Sequence, residues 1–173
     1  NLTMGIEGFW NGTEQISDTA RCYLRSSNSP YSIIDSSKAY LSTWGFATFV
    51  FNNAPSGSYY IQTGQRNSLE TWSAVPVNLV SGGVSENYDF TTSSSMAYGN
   101  NTALKSGRYC NFSGDVNQNG LIDLTDVVLI NNASSVFAEG YVVQDVNGDD
   151  IVDLSDLIIG LNNASVFVSK ITP

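Results

Sequence analysis

The sequence contains no histidine, only two cysteines, and only seven basic residues against 16 acidic ones. Without histidine, the chain cannot build a Ser-His-Asp or Cys-His catalytic centre, or a zinc or haem site with histidine ligands. The net charge of −9 argues against binding to DNA, RNA or an anionic membrane, because lysine and arginine supply the affinity for phosphate. No apolar run approaches the ~20 residues of a membrane-spanning helix, so membrane insertion is not expected. No charged-then-apolar leader begins at Asn1, and we therefore expect a mature or excised piece.

The acidic residues are concentrated in the last third of the chain. Residues 112–173 carry nine acidic residues and one basic residue, whereas residues 1–111 are nearly neutral. A length of 173 residues suits one large domain or two small ones. We therefore predict two domains: a β domain over residues 1–111 and an anionic domain over residues 112–173.

The anionic domain contains an internal repeat. Residues 115–126 (DVNQNGLIDLTD) recur thirty positions later as residues 145–156 (DVNGDDIVDLSD); these are named the first loop and the second loop. In each loop, oxygen-bearing side chains stand at places one, three, five, nine and twelve. This is the spacing with which a twelve-residue loop wraps one Ca²⁺, with the carbonyl of place seven completing the shell. The predicted ligands of two Ca²⁺ ions are Asp115, Asn117, Asn119, Leu121, Asp123, Asp126, Asp145, Asn147, Asp149, Ile151, Asp153 and Asp156.

Each loop also carries signals for a following helix. Thr125 and Ser155 are predicted to cap helices that continue into apolar runs. The apolar eighth residues, Ile122 and Val152, are predicted to face each other across paired loops. Place six requires a positive φ, which favours Gly120 in the first loop and is tolerated by Asp150 in the second.

The alternative for such an acidic run is a solvated surface without a ligand, and two loops in register make it the weaker interpretation. Calcium is favoured over zinc because every ligand is a hard oxygen, and over magnesium because magnesium accepts so many protein ligands poorly. Removal of the ions is predicted to unfold the last third and to spare the β domain.

These paired loops, each followed by a helix and neither preceded by one, resemble a type I dockerin module over about residues 113–171. The resemblance implies two antiparallel calcium loop-helix units and a cohesin partner. The sequence departs from the family at places ten and eleven, where Leu124-Thr125 and Leu154-Ser155 stand in place of small or hydroxyl pairs. The alternative is that the calcium ions only stabilise the fold and that the module binds no cohesin.

The first 111 residues have the alternation of an all-β domain. Apolar residues alternate with polar ones at Leu2 to Ile6 and at Ala20 to Leu24, and turn clusters separate further short apolar runs. This predicts a sandwich of two antiparallel sheets with seven or eight strands. The segment from Gly45 to Ile61 resembles the hairpin of prealbumin-like sandwiches in bacterial surface proteins, which act as stalks and spacers.

Two kinds of covalent modification are predicted. Cys22 and Cys110 bracket most of the β domain and are predicted to form a disulfide, with two separate buried thiols as the alternative. Six Asn-x-Ser/Thr sequons permit glycosylation; they begin at Asn1, Asn11, Asn100, Asn111, Asn132 and Asn163.

The combined features favour a non-enzymatic, extracellular or cell-surface structural protein. The first hypothesis is head-to-tail self-assembly into a fibre or surface layer, with the N-terminal strand pairing with an open sheet edge of a neighbouring copy. The second is an anchoring module that binds a cohesin-like surface protein. The third is glycan binding on aromatic residues that include Trp10, Trp44 and Trp72. Carboxylate pairs such as Glu7 with Glu14, or Glu70 with Glu86, lack the surrounding pattern of an acid–base centre.

Overall fold

The computed structural model describes all 173 residues. Ten short strands precede residue 111, two α-helices follow it, and neither helix is long and apolar enough to cross a membrane. The strands are β1 Leu2–Thr3, β2 Thr19–Ser26, β3 Ile33–Tyr40, β4 Phe46–Ala47, β5 Gly57–Gln65, β6 Thr71–Trp72, β7 Val77–Leu79, β8 Tyr88–Asp89, β9 Ala103–Lys105 and β10 Arg108–Cys110. The helices are α1 Leu124–Ser134 and α2 Leu154–Ser165, and two 3-10 turns cover Ser94–Met96 and Tyr98–Asn100.

Residues 1–111 form a β-sandwich, as predicted. The larger sheet is antiparallel, with strand order β3-β2-β5-β6 and β7 also paired with β5. The smaller sheet has the order β4-β1-β8, and β9 pairs with β10 in a separate hairpin. Alternate residues of β2 (Ala20, Cys22 and Leu24) point into one core, which they share with residues of the smaller sheet such as Leu2 and Tyr88. Residues 1–111 are named the sandwich below.

The prediction of purely antiparallel sheets was wrong for the smaller sheet. β1 pairs antiparallel with β4 but parallel with β8, with Leu2 opposite Tyr88. Parallel neighbours need a long connection, and here the larger sheet is built within it. β1 is therefore a central strand, paired on both sides inside its own molecule, and not a free edge.

The predicted hairpin between Gly45 and Ile61 is not formed. β4 pairs with β1 in the smaller sheet, whereas β5 belongs to the larger one, so the intervening segment crosses between the sheets. The Asp35 side chain on β3 holds this crossing, because its Oδ2 accepts hydrogen bonds from the backbone N–H of Asn53 (2.7 Å) and Ala54 (3.1 Å). These bonds replace the backbone ladder that a hairpin would have supplied.

The predicted disulfide is absent, and both cysteines are free, buried thiols. Cys22 belongs to the sandwich core. The Sγ of Cys110 instead lies 3.8 Å from the carbonyl oxygen of Arg108 and packs where Gly5 leaves room for it. Burial raises the pKa of both thiols to about 12.

Residues 112–173, named the loop-helix module, contain two similar units whose helices pack together. The helices begin two residues earlier than predicted, because Asp123 and Asp153, rather than Thr125 and Ser155, are the N-caps. The cap carboxylate accepts the N–H of Thr125 or Ser155 at 2.7 Å, and the carboxylate of the Asp three residues after the cap accepts the N–H of the cap residue. This reciprocal pattern is a capping box.

The two loops do not pair with each other, so the predicted contact between Ile122 and Val152 was wrong. Each loop pairs instead with the segment after the other unit's helix. The N–H of Ile122 donates to Val168 O, and the N–H of Val152 donates to Ala138 O, both at 2.8 Å. Ile122 and Val152 consequently lie in two separate apolar clusters.

Candidate functional site

The first loop bends its backbone around its own acidic side chains. Asp115 accepts the N–H of Asn119 on Oδ1 (3.0 Å) and the N–H of Gly120 on Oδ2 (3.1 Å). Asp126 accepts the N–H of Asn117 and of Asp123, both at 3.1 Å. The first and last predicted ligands are thereby fixed by the residues between them.

The second loop repeats this arrangement. Asp145 accepts the N–H of Gly148 on Oδ1 (2.7 Å) and the N–H of Asp150 on Oδ2 (3.3 Å). Asp156 accepts three backbone N–H groups, at 2.8 to 3.0 Å. Carboxylate oxygens of Asp145, Asp149 and Asp156 lie within 4.8 Å of one another, so three of the predicted ligands converge.

The sixth place of each loop has the predicted positive φ, +86° at Gly120 and +69° at Asp150. The fourth place is also left-handed, at Gln118 and Gly148. These residues reverse the chain direction, which turns the N–H groups of places four to six toward the side chain of place one.

The carboxyl groups of the loops lie in contrasting environments. Burial, and to a lesser extent the nearby charge of Asp126, raise the pKa of Asp115 to about 6 against several backbone hydrogen bonds. Burial likewise raises the pKa of Asp156. The half-buried cap Asp153 has a lowered pKa, because Ser155 donates to it from its hydroxyl and from its backbone N–H. A divalent cation stabilises buried carboxylates in the ionised form, and this set of oxygen donors fits a hard cation.

The module packs against a short segment of the sandwich, residues 66–70, named the docking segment. Leu69 is fully buried in a cluster with Ile122 of the first loop, Val127 of α1 and Ala164 of α2. The Gln118 side chain donates to Ser68 O at 3.2 Å. The first loop is therefore joined to the sandwich by apolar packing and one neutral hydrogen bond.

The second loop meets the same segment through charged and amide groups. Arg66 lies between Asp18 of the sandwich and Asp145 of the second loop, with a nitrogen 3.1 Å from an oxygen of each. The Asn67 side chain donates to the backbone oxygen of Asp145 at 2.6 Å. Sequence reasoning missed Arg66 and Asn67, because no local pattern connects residues 79 and 78 positions apart.

A third contact joins α2 to the start of the chain. Asn163 donates to Glu7 Oε2 at 2.7 Å and to Ser113 O at 2.8 Å. The Glu7 carboxylate also accepts the N–H of Ser113 at 3.1 Å. Glu70 is similarly occupied, by side-chain donors of Gln62 and Trp72 at 3.0 Å each. Both glutamates serve as hydrogen-bond acceptors within the fold.

The predicted glycosylation sites fall into two groups. Asn11, Asn100 and Asn132 are exposed, and Asn1 is half-buried. Asn111 is fully buried and Asn163 is 6% exposed, so these two side chains are not accessible for glycosylation in the folded chain. Their side chains are held inside the protein by Thr63 and by Glu7, respectively.

The three tryptophans do not form a shared platform. Trp72 is only 4% exposed, under Arg25 and with its ring edge-on to Tyr31 and Tyr60. Trp10 is buried beneath Arg108, whereas Trp44 is 65% exposed. The structure therefore does not bring the three tryptophans together, although the half-buried tyrosines Tyr31, Tyr60 and Tyr98 cluster around Trp72.

The outer faces of both helices carry exposed apolar side chains, which sequence reasoning did not single out. On α2, Leu154, Ile158 and Leu161 stand at positions i, i+4 and i+7 and are 48% to 65% exposed. On α1, Leu124 and Val128 stand at positions i and i+4 and are similarly exposed. This spacing places the residues of each helix on one face. The five residues are named the helix stripe.

No protein-family model matches the chain, and no curated protein matches it. Among solved structures, the chain is similar to chains in two crystal structures of a type II cohesin–X-dockerin complex from Acetivibrio cellulolyticus, one a C-terminal and one an N-terminal interface mutant. The TM-scores are 0.48 and 0.49, and the sequence identity is 18% in both cases. Each match covers 87% of this chain and 85% of the other.

Proposed function

We propose that this chain is a non-enzymatic, extracellular anchoring protein whose loop-helix module binds two Ca²⁺ ions and presents the helix stripe to a protein partner of the cohesin type. One observation carries the proposal: in both units the cap residue, a predicted ligand, is followed directly by an exposed leucine of the stripe. Asp123 precedes Leu124, and Asp153 precedes Leu154. An ion that orders the loop therefore also orders the start of the binding surface.

The calcium part of the proposal is supported by the geometry of the loops. Both loops have oxygen side chains at the same five places, and the second loop brings three carboxylates within 4.8 Å of one another. Repulsion among these groups destabilises the metal-free module, and a bound cation removes it.

Calcium binding is tested by titrating the EDTA-treated chain with Ca²⁺ in a calorimeter. The expected result is two bound equivalents. An absence of binding heat, together with an unchanged circular dichroism spectrum, would contradict the proposal.

Partner binding is tested by passing a panel of cohesin domains over the immobilised chain, in Ca²⁺ and in EGTA. We expect binding in Ca²⁺ and none in EGTA. In Ca²⁺, Ile158→Asp should bind the cohesin domain at least tenfold more weakly, because the variant places a charge within an apolar interface. Ile33→Asp is the matched control, since Ile33 is 51% and Ile158 is 48% exposed. Equal losses for the two variants would contradict a binding surface on α2.

Self-assembly is a second candidate function, and one observation favours it. β3 is an edge strand of eight residues, and Ile33 and Ile34 on it are exposed. Unpaired edges of this kind can accept a strand of a second copy. Sedimentation of the concentrated chain in Ca²⁺ tests it: assemblies that are dispersed by Ile33→Asp and kept by Ile158→Asp would favour this function over partner binding.

A further inference from the structure

Arg66 belongs to the sandwich, but its guanidinium group forms hydrogen bonds with the second loop and with the residues just before it. Its Nη2 donates to Asp145 Oδ2 at 3.1 Å, its Nε donates to Asp18 Oδ2 at 3.1 Å, and its Nη1 donates to the backbone oxygen of Val142. The ring of Tyr141 covers it, with 4.2 Å between the guanidinium carbon and the ring centre. The side chain is only 10% exposed.

Arg66 supplies the hydrogen bond to the Asp145 carboxylate that comes from outside the loop. The other donors to this carboxylate are the N–H groups of Gly148 and Asp150, which belong to the loop itself. Asn67, the next residue of the docking segment, holds the backbone oxygen of Asp145. The sandwich therefore fixes both the side chain and the backbone at place one of the second loop.

The first loop has no counterpart to this contact. The carboxylate of Asp115, at the equivalent place, accepts only the N–H groups of Asn119 and Gly120 from its own loop. The docking segment contacts the first loop through Leu69, which packs against Ile122 and carries no polar side-chain group, and through the backbone oxygen of Ser68, which accepts from Gln118.

We infer that Arg66 is a positioning residue for the second cation site, and that calcium affinity at this site, unlike that at the first, depends on the docked sandwich. This inference rests on the proposed calcium binding. Residues that orient a metal ligand typically change metal affinity by about 10- to 100-fold when they are replaced. A fixed Asp145 carboxylate does not have to be ordered when the ion binds, which favours binding.

The positive charge of Arg66 also repels a cation, and this effect opposes the first. Asp18 lies on the other side of the guanidinium group at 3.1 Å, so its negative charge offsets much of the repulsion at the ion. The loss of orientation therefore outweighs the relief of repulsion. Arg66→Lys separates the two effects, because it keeps the charge but cannot bridge Asp18, Asp145 and Val142 together.

The experiment measures each site alone. Asn119→Ala removes a ligand from the first loop and leaves the second as the only site, and Asp149→Ala does the reverse. Both replaced residues stand at place five and are exposed. Arg66→Met and Arg66→Lys are then introduced into each background, and calcium dissociation constants are measured by calorimetry. Lys170→Met is the control for an ordinary contact across the same interface, since Lys170 pairs with Glu70 at 3.6 Å and 43% of its side chain is exposed.

The expected result is a loss of about tenfold or more at the second loop for both Arg66 variants, with the first loop and the Lys170→Met variant unchanged. Equal losses at both loops would overturn the inference, because they would mean that Arg66 acts through general stability. No loss at the second loop, or tighter binding in Arg66→Met, would also overturn it. If the unmodified chain binds no calcium, the proposed function itself fails, and that outcome is distinct from the other results.

Discussion

The two loop-helix units have nearly the same sequence but different surroundings. The first loop joins the sandwich through an apolar contact between Leu69 and Ile122, whereas the second joins it through the buried ion pairs of Arg66. The same contrast continues into the helices, where Asn132 is exposed and its counterpart Asn163 is buried against Glu7. A repeated sequence thus yields two loops with different surroundings when its two copies contact the rest of the protein differently.

The largest expected effect is the loss of stability of the loop-helix module when the proposed calcium ions are removed. An ion that binds only the folded state adds about 4 kcal/mol when its free concentration is ~1,000 times the dissociation constant. Chelation should therefore abolish most of the cooperative helical signal of the module. All three tryptophans lie in the sandwich, so their fluorescence reports that part alone.

We expect the tryptophan-reported melting temperature in Ca²⁺ to fall more for Asp149→Ala than for Asn119→Ala, because the second loop carries the ionic contact with the sandwich. Melts of both variants, followed by fluorescence and by circular dichroism, measure this difference. If neither ion influences the fluorescence transition, the sandwich and the module unfold independently, as the sequence alone predicts.

The next effect tests the apolar contact of the first loop. Leu69→Ala removes a fully buried side chain and should lower the free energy of unfolding by about 3 kcal/mol, as measured by urea denaturation. Leu104→Ala is the control, because Leu104 is 64% exposed, and it should cost less than about 0.5 kcal/mol. A similar cost for both variants would mean that Leu69 is not part of a tightly packed interface.

A smaller effect compares the two helices at equivalent asparagines. Asn163→Ala removes one of the two donors to Glu7 and the side-chain donor to the carbonyl of Ser113, and it should cost about 1–3 kcal/mol. Asn132→Ala should stay within about 0.5 kcal/mol, because Asn132 is exposed. Urea denaturation of the two variants in Ca²⁺ measures the difference. Equal losses in the free energy of unfolding would contradict the different surroundings of the two helices.

The last prediction concerns glycosylation of the same two asparagines, Asn132 and Asn163, and involves the smallest change in stability. In a host that glycosylates secreted proteins, we expect glycans at Asn132 but none at Asn163, since only the former is accessible. Peptide mass spectrometry before and after removal of N-glycans by a glycosidase checks this. Full occupancy of Asn163 would mean that α2 is modified before it docks.

The module was the most predictable part of the fold, because its information is local. The positive φ at Gly120 and Asp150 and the helices that follow the loops depend on residues within twelve positions of one another. The alternation in β2 likewise identifies the side of that strand that faces the core. Calcium itself remains a prediction.

The errors concern contacts between distant residues. The parallel pairing of Leu2 with Tyr88, the crossing of the chain after β4 and the separation of Cys22 from Cys110 are set by how the two sheets pack. Neither the hydrophobic periodicity nor the composition of the sequence predicts which distant residues pack together. The burial of Asn111 and Asn163 could not be predicted for the same reason, because a sequon identifies a chemical group but not its accessibility.

The central position of β1 has a consequence for the order in which the chain folds. Its partners are residues 46–47 and 88–89, so the smaller sheet cannot form until residue 89 has been made. At ~5–20 residues per second, the apolar side chains of Leu2, Met4 and Ile6 stay without their final partners for several seconds. During that time these apolar side chains can contact other molecules, and a holding chaperone or a secretion channel that shields them would protect the newly made chain from aggregation.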